Sequence, residues 1–270
     1  MRGWSWGMAL ALALGASAAT LAAPPDAAAP RLFIHAGEVP LYKVFAWERW
    51  GNFINAPAGS STEIPYDAAR LEVKVYPFPS GEIRAIRFPN GVRTHRHINQ
   101  TDTILYSWQA HRVQFVDDKA VLAEPGDFAL HQKGVLHSGE EIRRGGGIDL
   151  EFALPFAGVH NDPGGFWSLA RDHPVETSAA GYLVRAAVLP DYAAREVRLA
   201  RGTAVTLQDA TRDRLIFVLS GKVAVTIGKA SDTLASEDAA SVPHGVRAGI
   251  EATEDAMWVE VLAPPVTAKH

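Results

Sequence analysis

The sequence predicts an all-β fold made of two tandem units, each a sandwich or a barrel. Two observations carry that prediction. The first is alternation: apolar and polar residues interchange over short stretches, and Gly, Pro and Asp separate those stretches at short intervals, the pattern of brief strands joined by turns. The second is repetition: the stretch starting at Gly91 returns at Gly202, 111 residues later. Aligning Asp102 with Asp213 brings Ile104 onto Leu215, Leu105 onto Ile216 and Tyr106 onto Phe217 without a gap.

The elements follow in order. The first series of strands is LEVKVYPF (71–78), EIRAIRF (82–88), DTILYSW (102–108), HRVQFV (111–116) and GIDLEFAL (147–154). The second is YLVRAAVL (182–189), EVRLA (196–200), AVTLQ (204–208), RLIFVL (214–219), KVAVTIG (222–228) and AMWVEVLA (256–263). EPGDFALHQKGVLH (124–137) and SEDAASVPHGVRA (236–248) share a turn–strand–turn pattern. Between the series, the Pro- and Gly-rich stretch 157–181 reads as a connection with one short helix around Phe166–Arg171. The expected organisation is a leader at 1–22, an N-terminal arm at 23–67, a first barrel at 68–157, a linker at 158–181 and a second barrel at 182–265.

Bulk composition narrows the function. The chain has 270 residues and is 47% hydrophobic, so each unit can bury a core. A net charge of −4 without a basic run argues against nucleic acid and anionic membrane surfaces as partners. There is no cysteine, which excludes disulfides, thiolate ligands and cysteine nucleophiles. Arg2, the apolar run 8–14 and the small residues after it have the layout of a secretory signal peptide, with cleavage expected after Ala22 or Ala18. The apolar run is shorter than the ~20 residues of a membrane span. The mature protein is therefore expected to be secreted or periplasmic, free of the membrane after cleavage, and compatible with homo-oligomer formation.

The stretch GVRTHRHINQTD (91–102) carries the chemistry. On a strand, residues two apart project to the same side, so His95 and His97 point together. Asp102 opens the next strand, from which its carboxylate can fold back to the same pocket. Downstream, Gly126, Gln132, Gly134 and His137 fall at fixed offsets.

Together these motifs resemble those of the cupin superfamily. One cupin motif is a Gly, five residues, His-x-His, three or four residues and a Glu. The other is a Gly, five residues, Pro-x-Gly, two residues and a His. Here the first reads His95, His97 and Asp102, and the second Gly126, Gln132, Gly134 and His137. The departures are Asp102 for Glu, Gln132 for Pro, three residues instead of five between Gly91 and His95, and Ala110 near a later Gly. The resemblance implies two jelly-roll (double-stranded β-helix) barrels, with one divalent metal on His95, His97, Asp102 and His137. In a three-histidine variant, Asp102 hydrogen-bonds a metal-bound water instead; Gln100 is a weaker fourth ligand. Such a site suits Fe(II) first, with Mn, Zn, Ni or Cu as further occupants.

In the second copy Thr206, Gln208 and Ala248 replace the three histidines, so it is expected to be metal-free. His131 is a candidate catalytic proton carrier, although the outer face of its strand is the commoner place for such a residue. Tyr106 and Trp108 share strand parity with Asp102 and line either the pocket or the core. Arg93 could meet an anionic substrate or sit on the surface. The expected activity is that of a metal-dependent enzyme on a small-molecule substrate, a dioxygenase first and an isomerase or lyase next. The alternative is a non-catalytic protein that binds a metal or small molecule.

Overall fold

The computed structural model describes residues 31–45, 70–94, 96–116, 119–154, 160–178 and 180–263. The expected leader, the aromatic stretch 47–53 and His95 lie outside them. Eleven strands come from each half of the chain. The first half gives β1 (Phe33–Ile34), β2 (Tyr42–Phe45), β3 (Arg70–Phe78), β4 (Gly81–Phe88), β5 (His97–Ile98), β6 (Asp102–Ser107), β7 (Arg112–Val116), β8 (Lys119–Ala123), β9 (Phe128–His131), β10 (Leu136–Glu141) and β11 (Gly147–Leu154). The second gives β12 (Gly165–Ser168), β13 (Glu176–Thr177), β14 (Leu183–Val188), β15 (Ala193–Leu199), β16 (Ala204–Leu207), β17 (Asp213–Ser220), β18 (Lys222–Ile227), β19 (Ala230–Ala235), β20 (Ala239–Val242), β21 (Ala248–Ala252) and β22 (Ala256–Ala263).

These strands form two jelly-roll barrels, each a seven-stranded sheet facing a four-stranded one. The first barrel has the orders β12-β9-β6-β11-β4-β3-β2 and β5-β10-β7-β8. The second has β1-β20-β17-β22-β15-β14-β13 and β16-β21-β18-β19. Each strand of one half thus has its counterpart eleven strands later, with one substitution: β1 lies in the second barrel and β12 in the first. The two halves exchange their leading strands. Phe33 pairs with Ala240, and Gly165 pairs with His131. Where a helix was expected around Phe166–Arg171, strand β12 is followed by a 3-10 turn at Ala170–Asp172. Pairing with the free edge of β9 satisfies this segment's backbone groups better than one isolated helical turn would.

The duplication extends to single hydrogen bonds. Asp127 Oδ2 accepts from Glu124 N at 2.8 Å, and Asp238 Oδ2 accepts from Ala235 N at 2.8 Å. The other oxygen of each aspartate holds the exchanged segment: Asp127 Oδ1 accepts from Ala170 N at 2.6 Å and Asp238 Oδ1 from Ala36 N at 2.7 Å. Before Asp127, Gly126 has φ +96°, a backbone conformation that favours glycine.

Strand parity divides the core into three parts. One face of the large sheets packs barrel against barrel: Ile104, Tyr106, Phe128, Leu130, Leu150 and Phe152 meet Leu215, Phe217, Val259 and Val261. Tyr76 and Phe217 meet edge to face with centroids 5.5 Å apart. The opposite parity faces the barrel interiors. The second interior is filled by a continuous apolar cluster that includes Val223, Val225, Val242, Ile250 and Trp258. In the first, the apolar cluster is small: Leu71, Val73, Ile86, Phe88 and Val92.

Candidate metal centre

The rest of the first interior is polar. A cavity of about 50 Å³ lies there, lined by His97, His131, His137, Arg112, Gln114 and Arg84 among others. That is room for roughly three or four waters, or for an ion with a small ligand. His97 on β5 and His137 on β10 are directly paired across the ladder. Their ring centroids are 4.2 Å apart, and the His131 ring also lies 4.2 Å from that of His137.

His131 reaches the cavity because Phe128 and Leu130 take the face of β9 toward the other barrel, which turns Ala129 and His131 inward. The outer-face placement is thereby overturned: the residue is 1% exposed. Neither of its ring nitrogens has a hydrogen-bond partner among the described residues. Burial pushes this imidazole down to about 3, with His97 and Arg112 adding to the effect. Burial, then His131 and His97, also hold His137 well below the ordinary imidazole range. Both rings are therefore neutral at pH 7 and present lone pairs. His137 Nδ1 lies 3.1 Å from Val135 O. A carbonyl only accepts, so Nδ1 carries the proton and Nε2 keeps its lone pair, the usual preparation of a metal-binding imidazole.

Asp102 is the expected ligand that the fold places elsewhere. It has the parity of Ile104 and Tyr106, and that face of β6 looks toward the second barrel. Its Oδ1 accepts from Lys133 N at 2.7 Å, and its Oδ2 accepts from Tyr192 Oη at 2.6 Å. His160 Nε2 stands 2.9 and 3.1 Å from the two oxygens. Asp213 repeats the backbone bond in the second barrel, accepting from His244 N at 2.7 Å. The aspartate that the halves share is thus a turn clamp.

The other singled-out residues sort in the same way. Tyr106 donates to Glu196 at 2.6 Å and Trp108 packs on Phe217, so both serve the contact between barrels. Arg93 lies over Phe115 and 3.6 Å from Glu140, about a third exposed. Gln132 accepts from Gly164 N at 2.9 Å, which ties the motif turn to the exchanged strand. The ladder also corrects the alignment by one residue: Leu207, not Gln208, stands opposite Ala248, so Leu207 is the counterpart of His97.

Three cavity residues escaped the sequence reading. Arg112 and Gln114 of HRVQFV were not singled out, yet both are buried, at 4% and 2% exposed. Arg112 donates to Asp149 at 2.6 Å and its guanidinium lies 3.9 Å from the Phe88 ring centroid. A Cβ on Gly139 would meet that guanidinium at 2.3 Å, so the glycine makes its path. Neither amide atom of Gln114 has a partner among the described residues. Arg84 completes the set, 3.5 Å from Glu151. The signal that could have found the first two is the repeat itself, which has Val223 and Val225 at the matching positions.

No family model and no curated protein sequence matches the chain. Solved structures do. Oxalate decarboxylase of Lactobacillus farciminis, in complex with formate, superposes with a TM-score of 0.64 at 11% identity, over 89% of this chain and 88% of that one. Protein Ylba from E. coli gives 0.62 at 10%, over 90% and 97%. A tryptophan-to-tyrosine mutant of salicylate 1,2-dioxygenase from Pseudoaminobacter salicylatoxidans gives 0.55 at 13%, over 70% and 72%. The fold is the cupin fold, present twice. Of the two barrels the first holds the cavity and the second is filled by an apolar cluster.

Among the described residues no three His, Asp or Glu side chains stand in a chelating arrangement. The three rings are tilted against one another by 56° and 49°. The donor chemistry nevertheless fits a divalent metal: neutral buried imidazoles, one orphaned at both nitrogens and one with its tautomer fixed by a carbonyl.

Proposed function

We propose that this bicupin is a metal-dependent enzyme acting on a small organic acid in the first barrel, by dioxygenation first and by isomerisation or lyase chemistry next. One observation carries the reading: a small cavity lined by imidazoles, guanidinium and unpartnered amide atoms in one barrel, where the other barrel is filled by apolar side chains. His97 and His137 would hold the ion. When bound, it would supply Lewis acidity at a centre open to substrate or oxygen, with Fe(II) as the first candidate.

The chain's own side chains would do the rest. Arg112, pinned by Asp149 and laid across Gly139, offers a fixed positive charge to an anionic group. Gln114 offers a donor and an acceptor to orient it. Leu71, Val73, Ile86 and Phe88 form the cavity's apolar wall, which lowers the local dielectric and strengthens the polar contacts beside it. The leader motif of the sequence supports export, so the reaction is assigned to the outside of the cytoplasm.

The test is elemental analysis of the purified protein, followed by reconstitution with Fe(II), Mn(II), Zn(II), Ni(II) and Cu(II) and oxygen-uptake assays on small carboxylic acids and phenols. One equivalent of metal and turnover of a small acid are expected. Metal without turnover under any condition would leave a binding protein in place of an enzyme.

A further inference from the structure

We infer that His131 takes the place of the motif carboxylate, its ring turning from the tilted contact with His137 so that it joins His97 and His137 as the third donor of the first-barrel metal centre. The inference rests on the functional reading above. It starts from an energetic anomaly: a fully buried imidazole with both nitrogens unsatisfied among the described residues loses its hydration without regaining a hydrogen bond. The second repeat shows how the fold avoids that cost, since the last residue of its matching strand is Val242, packed in the apolar interior. A histidine retained where valine packs needs a partner that the chain does not supply. Its ring lies against that of His137, itself prepared by the Val135 carbonyl, and His97 lines the same cavity.

The place of the carboxylate is open. Asp102 faces the other barrel with both oxygens bonded, and Asp213 makes the same backbone bond in the barrel whose counterparts of His97, His131 and His137 are Leu207, Val242 and Ala248. That bond therefore belongs to the fold and not to a metal. Strand β9, which carries His131, is held on both sides: Thr103 of β6 and Gly165 of the exchanged β12 flank the residue in register. The donor sits on sheet and not on a loop.

A centre of neutral imidazoles leaves the full charge of a divalent ion uncompensated. It favours zinc, copper, nickel and iron over manganese, which prefers oxygen donors.

The experiment compares wild type, His131→Val and Asp102→Asn, each checked by circular dichroism and thermal melting. Zinc affinity is measured by chelator competition, and the Co(II) absorption spectrum is recorded. His131→Val should weaken zinc more than about 100-fold, beyond the loss expected for an outer partner, and should change the cobalt spectrum. Asp102→Asn should keep the spectrum and hold affinity within about threefold, a change far below that of losing a donor. Independently of any variant, a His131 ring nitrogen of ¹⁵N-histidine-labelled wild type should shift on adding zinc. Unchanged zinc affinity and cobalt spectrum in His131→Val, or loss of metal in Asp102→Asn, would overturn the assignment. A wild type that binds none of the metals would overturn the functional reading along with it.

Discussion

The two barrels have the same strand order and the same clamping aspartates, yet opposite interiors. Where the second holds Val223, Val225, Val242, Leu207 and Ala248, the first holds Arg112, Gln114, His131, His97 and His137. Buried polar atoms without partners gather accordingly: Arg112 Nε, both Gln114 amide atoms, both His131 nitrogens, Glu141 Oε2 and Asp149 Oδ1 are all on strands of the first barrel. Among the described residues the strands of the second barrel carry one, Arg185 Nε on β14. The pair is an internal control: one copy shows what the fold needs to stand, and the excess polarity of the other is what it keeps for a ligand. Even the ion pairs differ. In the second barrel burial raises the Glu260 carboxyl, but Arg214 and Arg195 outweigh it and bring the net shift down. In the first, burial wins over the single Arg112, and Asp149 is raised.

The comparison can be broken most severely at its shared element. Asp102→Ala removes one carboxylate that joins Lys133, His160 and Tyr192, while Asp213→Ala removes one that serves only His244. The first should cost about 3–5 kcal/mol and the second clearly less, read from urea denaturation midpoints. Equal losses would mean that the contact between barrels adds nothing to the clamp. The next effect comes from moving polarity to the wrong side. Val225→Gln puts an amide into a packed apolar interior and should cost about 1–3 kcal/mol.

The reverse change should stabilise. Gln114→Val removes two orphaned amide atoms from the first interior and should raise stability by about 1 kcal/mol while reducing turnover of the small acid. A loss of stability there would show that Gln114 has a structural partner. The smallest effect separates the exchanged arms. His35 stands 3.0 Å from Asp238 and 3.1 Å from Asp232, and the hydrogen bond to Asp238 leads in raising its imidazole against the opposing effect of burial. A raised histidine contributes most below its ordinary value near 6.5 and loses that contribution as pH climbs through the raised one. Because the ring is about one third exposed, the difference should stay below about 1 kcal/mol. It should appear as a lower melting temperature at pH 8.5 than at pH 5.5, reduced in His35→Ala. Leu169 is the matching residue of the other arm, which should not respond.

Much of this was legible in the sequence, and the reasons are local. Strands such as 147–154 and 256–263 match their predicted bounds because alternation and turn residues act within a few positions. The repeat was legible because Asp102 and Asp213 open homologous strands. What was not legible depends on which face of a strand meets which neighbour. Parity told that Asp102, Tyr106 and Trp108 look the same way, but not that they look at the other barrel. Arg112 and Gln114 were hidden by the rule that polar residues face water, which a ligand cavity inverts. The exchange of β1 and β12 joins positions too far apart for any local pattern to register.

That exchange has a consequence for how such a chain arises and folds. Neither half is an autonomous unit: the strand that closes each large sheet is encoded at the head of the other half. The pairing of Phe33 with Ala240 spans nearly the whole described chain, so that sheet edge cannot close until residue 240 has been made. A single ancestral copy, lacking a second half to trade with, would satisfy the same pairing only with a second molecule. The chain carries both sides of that exchange within one polypeptide.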